Sequence, residues 1–109
     1  MSIHANASPD PQLQGVVAYV SSHGQDETRM KRSTTWARRL VDAVATTTGA
    51  KNLGVHPINS AVLAKASVPA VLLEVGFVTN RREGLALARV DYQQQISSAV
   101  ARAVLDSGR

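Results

Sequence analysis

The fold is decided by the stretch Val68-Pro69-Ala70-Val71-Leu72-Leu73-Glu74-Val75-Gly76-Phe77-Val78-Thr79-Asn80, the most apolar part of the 109-residue chain. A short run rich in Val and Leu between turn residues is typical of a strand buried on both faces. Glu74 lies in its middle, where an ionised carboxylate loses its hydration at a large free-energy cost. We therefore expect Glu74 to pair with a cation, bind a metal, keep its proton at a raised pKa, or point outward at a sheet edge. Gly76 leaves room for a substrate or another backbone to approach.

Two earlier segments also predict strands. Residues 1–7 predict the end of a strand that runs into a loop, because Pro9 and Pro11 prevent its continuation. Residues 15–22 are rich in β-branched side chains and predict a second strand. Residues 51–65 are less regular and are interrupted at Pro57, so we expect only a short helix or strand near their end.

The predicted helices have recognisable ends. A long helix should run from about Asp26, its N-cap, to Thr48, with Gly49 as the left-handed residue past its end. Asn80 and Asp91 each stand three residues before a Glu or Gln, which is the capping-box pattern of two further helix starts. The last helix carries an apolar face that should pack on the sheet; its members are Tyr92, Ile96, Ala99, Val100, Ala103 and Val104.

Strands separated by helices of this length predict an α/β domain, a layered and largely parallel sheet with helices on both faces. Only two or three strands are apparent, which is too few to cover the helices. We therefore expect the fold to be incomplete, with this chain forming part of a larger domain.

Composition limits the possible functions. The chain has no cysteine, which excludes disulfide scaffolds and Cys-ligated zinc, and no apolar run approaches the ~20 residues of a membrane span. The N-terminus lacks the basic and apolar regions of an export signal. The net charge of +4 favours polyanionic partners such as nucleic acid, anionic lipid or wall polymer. Because the basic residues are scattered and aromatic residues are few, we expect a solvated basic surface and no nucleic-acid partner.

His4 is the residue that could act together with Glu74. It lies near the end of the first predicted strand, close to Asn6. A lone histidine is more often structural, but a zinc-ligating imidazole beside a partly buried carboxylate is the pair used in metal-assisted hydrolysis. We expect the two side chains to lie on neighbouring strands.

Two segments resemble signature motifs of one protein family. They are Ser2-Ile3-His4-Ala5-Asn6-Ala7 and Pro69-Ala70-Val71-Leu72-Leu73-Glu74-Val75-Gly76-Phe77-Val78-Thr79-Asn80. Both are similar to motifs of the zinc-dependent N-acetylmuramoyl-L-alanine amidases called amidase_3. The resemblance implies a layered α/β fold and hydrolysis of the amide between N-acetylmuramic acid and L-alanine in peptidoglycan. It also implies an extracytoplasmic location, in the periplasm or cell wall, for full-length members.

The resemblance assigns roles to individual residues. His4 resembles the last zinc-ligating histidine of the family, and Glu74 resembles the catalytic glutamate that serves as general base and then general acid. Asn6 lies beside the ligand and is expected to shape the substrate cleft. Phe77 and Asn80 match the motif and are expected to support the loop.

The family's other zinc ligands have no counterpart in this sequence. A histidine in an Asp-x-Gly-His-Gly segment and a downstream glutamate are absent, whereas catalytic zinc needs three protein ligands. His23 and His56 lack the spacing to replace them. Residues 1–109 therefore correspond to the C-terminal part of an amidase_3-like catalytic domain, and we expect a truncation, a separate N-terminal half or a regulatory partner.

Two alternatives remain open at this point. The chain could be an inactive fragment or a module that only binds wall polymer, which the missing ligands favour. It could also be a basic nucleic-acid-binding domain, which only the net charge supports.

Overall fold

The computed structural model describes residues 1–107, which form one four-stranded sheet and four helices. Every element has bounds close to a turn or capping signal of the sequence. In chain order they are β1 Ser2–Asn6, β2 Val16–Ser21, α1 Glu27–Thr48, β3 Asn52–Ile58, α2 Ala61–Ala64, β4 Leu72–Phe77, α3 Arg81–Leu87 and α4 Val90–Ser107.

The sheet has the strand order β1-β4-β2-β3 and mixed strand directions. β1 and β4 are parallel, as are β2 and β3, but the central pair β2 and β4 is antiparallel. Two consecutive parallel strands must be joined by a crossover segment, which returns the chain to the end of the sheet at which the first strand began. α2 has only four residues, so the chain leaves β3 and enters β4 at the same end of the sheet. The prediction of a largely parallel sheet is therefore wrong for the central pair of strands, β2 and β4.

β3 is a strand that the sequence pattern does not predict. Its backbone pairs with β2 in parallel, and Pro57 stands opposite Val20. Proline removes one ladder donor, which is tolerated where a strand lies at the edge of a sheet. Since β3 is an edge strand, Pro57 does not interrupt it.

The predicted ends of α1 are confirmed. The Asp26 side chain accepts a hydrogen bond from the Arg29 backbone N–H at 2.8 Å, which satisfies one of the free amides of the first turn. At the other end, Gly49 adopts a left-handed φ of 77° and its N–H donates to the Ala45 carbonyl.

The two later helices differ in how they begin. Asn80 is the N-cap of α3, and its Oδ1 accepts from the Glu83 N–H at 3.0 Å, as predicted. α4 begins at Val90, so Asp91 lies inside the first turn and not at the predicted cap. There its Oδ1 accepts from the Tyr92 N–H at 2.9 Å, next to the positive end of the helix dipole.

The core lies between one face of the sheet and the pair of long helices, α1 and α4, which pack against each other. Alternate residues of β2 and of the β4 segment face it, because successive strand side chains point to opposite faces. They are Val16, Ala18, Val20, Val71, Leu73 and Val75. The predicted face of α4 joins this core except at Val104, which is 39% exposed.

The predicted α/β layered class is confirmed. α2 contacts β2 through a separate region, where Leu63 is buried outside the main core. None of the helices described within residues 1–107 combines the length and apolar character that a membrane span requires.

Candidate active site

His4 and Glu74 lie side by side on the sheet face that turns away from the core. They are directly paired across the parallel strands β1 and β4, and Glu74 is also paired with Val17 of β2. Paired residues of neighbouring strands project from the same face. The sequence motifs around residues 4 and 74 therefore meet in one row of side chains, which we call the His4–Glu74 row.

The position of Glu74 follows from the alternation of β4. Leu73 and Val75 point into the core, where Leu73 is fully buried and Val75 is 7% exposed. The residue between them must point to the opposite face. β4 is an interior strand, so the alternative of an outward carboxylate at a sheet edge is wrong.

The Glu74 carboxylate is half-buried and incompletely hydrogen-bonded. Its Oε2 atom is buried and has no hydrogen-bond partner among residues 1–107. Loss of hydration raises the pKa of Glu74 above its usual value, and the nearby charge of His4 partly opposes this by lowering that pKa. An acceptor atom without a donor, at a raised pKa, is suited to taking up a proton or binding a ligand.

His4 occupies the centre of β1 and not the strand end expected from the sequence. Its ring is exposed, and Nε2 lies 2.7 Å from the hydroxyl oxygen of Ser2. Ser2 and His4 are two positions apart on one strand, so their side chains share a face. Sequence reasoning gave Ser2 no role, although this two-residue spacing was the available signal.

Asn6 is the last residue of β1 and accepts one local and one long-range hydrogen bond. Its side-chain Oδ1 accepts from the Ala7 N–H at 2.9 Å, while its backbone carbonyl accepts from the Val78 N–H at 2.8 Å. The register between β1 and β4 shifts between His4 and Asn6. Asn6 thus joins the ends of the two site strands, and its contact with substrate stays a prediction.

A second glutamate, Glu83, is also buried, which the sequence pattern does not predict. It is 6% exposed, and its carboxylate accepts from the backbone N–H of Gly15 at 2.9 Å and of Phe77 at 2.6 Å. The Asn80-x-x-Glu83 pattern predicts a capping box, but the Glu83 carboxylate accepts hydrogen bonds from β4 and from the residue before β2. Glu83 therefore fixes the backbone that follows Glu74.

Gly76 makes room for Glu83. A Cβ atom at Gly76 would lie 2.8 Å from Glu83 Cγ and 2.9 Å from Cδ, which is closer than carbon atoms can approach. The prediction that Gly76 admits a substrate or another backbone is wrong, because a side chain of the same chain occupies that space.

Asn80 and Phe77 support the loop after β4. The Asn80 side chain donates to the Pro11 carbonyl at 3.0 Å, and the Ser8 N–H donates to the Thr79 hydroxyl at 3.0 Å. The loops that follow β1 and β4 are thereby tied together. Phe77 is 6% exposed and anchors the strand end by burial.

The described residues do not form a complete metal site. Within the described part of the chain, no group of three His, Cys, Asp or Glu side chains could hold a metal ion. His56 lies on β3, and three strand spacings of about 4.8 Å place that strand roughly 14 Å from β1. His23 follows β2, whose end lies near the start of antiparallel β4. These residues therefore do not fit a complete zinc site by themselves.

Solved structures share this fold over nearly the whole chain. An N-acetylmuramoyl-L-alanine amidase from Clostridium difficile 630 superposes with a TM-score of 0.86 at 24% identity, covering 96% of this chain and 54% of that one. The catalytic domain of CwlV, an N-acetylmuramoyl-L-alanine amidase from Bacillus (Paenibacillus) polymyxa var. colistinus, gives a TM-score of 0.83 at 28% identity. Its coverage is also 96% of this chain and 54% of that chain.

Sequence comparison identifies a relative in Bacillus subtilis and a matching family profile. The Bacillus subtilis (strain 168) protein YqiI is 26% identical over 104 residues, which is 95% of this chain and 48% of that protein. The chain thus spans about half the length of the relatives it matches. The family profile Amidase_3, described as N-acetylmuramoyl-L-alanine amidase, matches residues 1–106. The chain therefore belongs to the Amidase_3 family.

Proposed function

We propose that this chain carries the proton-transfer part of an active site that hydrolyses peptidoglycan at the amide between N-acetylmuramic acid and L-alanine. The observation that supports it is the unpartnered Oε2 of Glu74 beside His4, in a chain of the Amidase_3 family. A structural carboxylate would have its acceptor atoms filled, as those of Glu83 are.

In this proposal Glu74 moves one proton twice. Its ionised carboxylate accepts a proton from water while the water oxygen forms a bond to the amide carbonyl carbon. The same carboxyl then donates that proton to the amide nitrogen as the C–N bond breaks. The direct products are the lactyl carboxylic acid, which keeps the second water proton, and the free amine of L-alanine; transfer of that proton to the amine then gives the carboxylate and the ammonium group. A raised pKa favours the first step, because it makes the ionised carboxylate a stronger base toward the attacking water.

His4 is proposed as one zinc ligand of the complete site. When bound, zinc would supply Lewis-acid polarisation of the amide carbonyl. Since the described residues hold no group of three ligands, the remaining ligands would have to come from polypeptide outside residues 1–107. The Ser2 hydroxyl, which contacts Nε2 of His4, would either orient the imidazole ring or be displaced from Nε2 by the zinc ion.

Peptidoglycan is the proposed substrate and partner, with Asn6 at the edge of the cleft. A protein that acts on peptidoglycan works outside the cytoplasm, so we propose an extracytoplasmic location, in the periplasm or cell wall. The family profile supports both assignments.

The test is a hybrid catalytic domain in which this chain replaces the matching segment of CwlV. The substrate is an N-acetylmuramoyl peptide. Cleavage at the proposed bond is measured by mass spectrometry, as release of the peptide with a free L-alanine amine. Glu74→Gln should abolish release while bound zinc is retained, because the amide side chain cannot accept the proton. His4→Ala should lower the zinc content.

Glu27→Gln is the matched control, because Glu27 is an exposed carboxylate at the start of α1. Full turnover of the Glu74→Gln hybrid would remove Glu74 from catalysis. An inactive hybrid that still binds peptidoglycan would favour the alternative of a wall-polymer-binding module. That alternative rests on the incomplete ligand set.

A further inference from the structure

Most of the net positive charge is concentrated on the first half of α1. Residues 26–39 contain five basic and two acidic side chains, a net charge of +3, in a chain whose total is +4. The basic side chains point away from the core, as the sequence predicts, and all except the half-buried Arg29 are exposed. The local charge density is therefore much higher than the net charge suggests.

These cations border an open groove of about 570 Å³ beside the segment that leads into β4. Its lining combines cationic, hydroxyl and apolar groups. The lining residues are Lys31, Arg32, Thr35, Trp36, Arg39 and Pro69, and we call this the α1 groove.

The two arginines of the α1 groove have no carboxylate partner among the described residues. The ion pairs of this helix are Arg29 with Asp26 at 3.5 Å and Lys31 with Glu27 at 3.3 Å. The Lys31 pair is highly exposed, so it contributes little and exchanges readily. Arg32 and Arg39 are thus free to bind an external anion.

Trp36 adds a second kind of contact to the groove. The half-buried indole packs against the core, but its Nε1 is buried without a hydrogen-bond acceptor among residues 1–107. A buried N–H left unpaired costs about 1–3 kcal/mol. The indole is therefore a probe within the groove wall, whose surroundings change when a polymer binds there.

We propose that the α1 groove binds an anionic phosphodiester polymer of the polyol-phosphate kind found in cell walls. Guanidinium groups at Arg32 and Arg39 match phosphate oxygens in charge and geometry. Arg32 and Arg39 are separated by about two helical turns, roughly 10 Å, which suits a repeating anion better than a single one. The wall source follows from the chain's family and is consistent with a polymer that surrounds peptidoglycan.

The aromatic residues argue against nucleic acid as the occupant. Single-stranded nucleic acid binds by stacking its bases on exposed aromatic rings as well as by phosphate contacts. Phe77 and Tyr92 are buried, and Tyr19 and Trp36 are half-buried. The groove can therefore recognise phosphates but offers no stacking platform for bases.

The α1 groove is separate from the His4–Glu74 row. α1 packs on the sheet face that carries Val16, Ala18 and Leu73, whereas Glu74 points to the other face. A polymer held on α1 leaves the proposed active site open. Binding there goes beyond amide hydrolysis and does not require Glu74.

Trp36 makes the proposal directly testable, because it is the chain's single tryptophan. Titration with short poly(glycerol phosphate) at low salt should shift the Trp36 fluorescence and yield a salt-dependent affinity. Arg32→Ala with Arg39→Ala should weaken binding by on the order of tenfold or more and reduce the slope of log K against log salt by about 1.4.

Arg81→Ala with Arg82→Ala is the matched control, since it removes the same charge from exposed sites on α3. This variant should bind nearly as the unchanged chain does. Equal losses in both double variants, or no fluorescence change with the polymer, would overturn the proposal. Tighter binding of an oligothymidylate with the same number of phosphates would overturn it in favour of nucleic acid. None of these measurements depends on amide hydrolysis by the hybrid catalytic domain.

Discussion

Glu74 and Glu83 both lie near the end of β4, yet their carboxylates have contrasting surroundings. Glu83 is 6% exposed and accepts backbone hydrogen bonds from Gly15 and Phe77. Glu74 is half-buried beside His4, and its buried Oε2 has no partner among the described residues. The more deeply buried acid is the better satisfied one.

The difference shows that burial alone does not determine whether the oxygens of a carboxylate have hydrogen-bond donors. A buried acid whose oxygens accept backbone N–H groups is held in place and contributes to stability. A less buried acid with a free acceptor atom keeps capacity for a proton or ligand. Mutation of the buried, hydrogen-bonded acid should therefore change the free energy of unfolding. Mutation of the acid with a free acceptor atom should change proton binding and chemistry.

The largest stability effect should come from Glu83→Ala. The change leaves the N–H groups of Gly15 and Phe77 buried without acceptors, at a cost of about 1–3 kcal/mol each. We expect the free energy of unfolding to fall by roughly 2–6 kcal/mol, measured by urea denaturation. Glu27→Ala on the surface should change it by less than about 0.5 kcal/mol. A Glu83→Ala loss as small as that control would show that the carboxylate is not a structural acceptor.

Gly76→Ala should have a smaller effect through the same contact. The new methyl group would lie 2.8 Å from Glu83 Cγ and would displace the Glu83 carboxylate. Overpacking of this kind costs about 1–3 kcal/mol. In a double-mutant cycle, Gly76→Ala should cost less when Glu83 is already Ala. Strict additivity would mean that Gly76 acts independently of Glu83.

The smallest effect, and the one that separates Glu74 from Glu83, is a pH dependence. Burial raises the folded-state pKa of Glu74, so the folded state binds more protons than the unfolded state above about pH 4.5. The stability contribution of Glu74 is therefore fully present below pH 4.5 and is lost as the pH rises through the folded pKa. Glu74→Gln should gain stability relative to the unchanged chain between pH 4 and pH 7, as measured by denaturation at each pH.

His4→Ala sharpens this test. The charge of His4 lowers the pKa of Glu74, so its removal should raise that pKa further. Carboxyl resonances followed by NMR titration would record the shift. A Glu74 pKa that is unchanged in His4→Ala would show that the two side chains do not interact across the strands.

The sequence predicts the parts of the fold that depend on neighbouring residues. Asp26, Gly49 and Asn80 mark helix ends because their side chains or backbone angles satisfy nearby amides and carbonyls. The run around Glu74 predicts a strand by its composition. No local rule connects His4 with Glu74; their pairing is predicted from the chemistry of an imidazole beside a carboxylate and from the resemblance of two motifs.

The remaining features depend on distant contacts. Pro57 disfavours a strand locally, and only its place at the sheet edge makes β3 possible. The antiparallel central pair depends on the end of the sheet at which β4 begins. The role of Glu83 depends on the Gly15 N–H, which is far away along the chain. The Asn80-x-x-Glu83 pattern correctly predicts the start of α3, but it gives no indication of the hydrogen bond between Gly15 and Glu83.

The two margins of the sheet have unequal capacity for extension. β3 presents Pro57 and a left-handed Gly54, features that hinder a further ladder, whereas β1 is proline-free and displays Ile3 at 51% exposure. Of the two edges of the described sheet, β1 is therefore the one at which a further strand can be added.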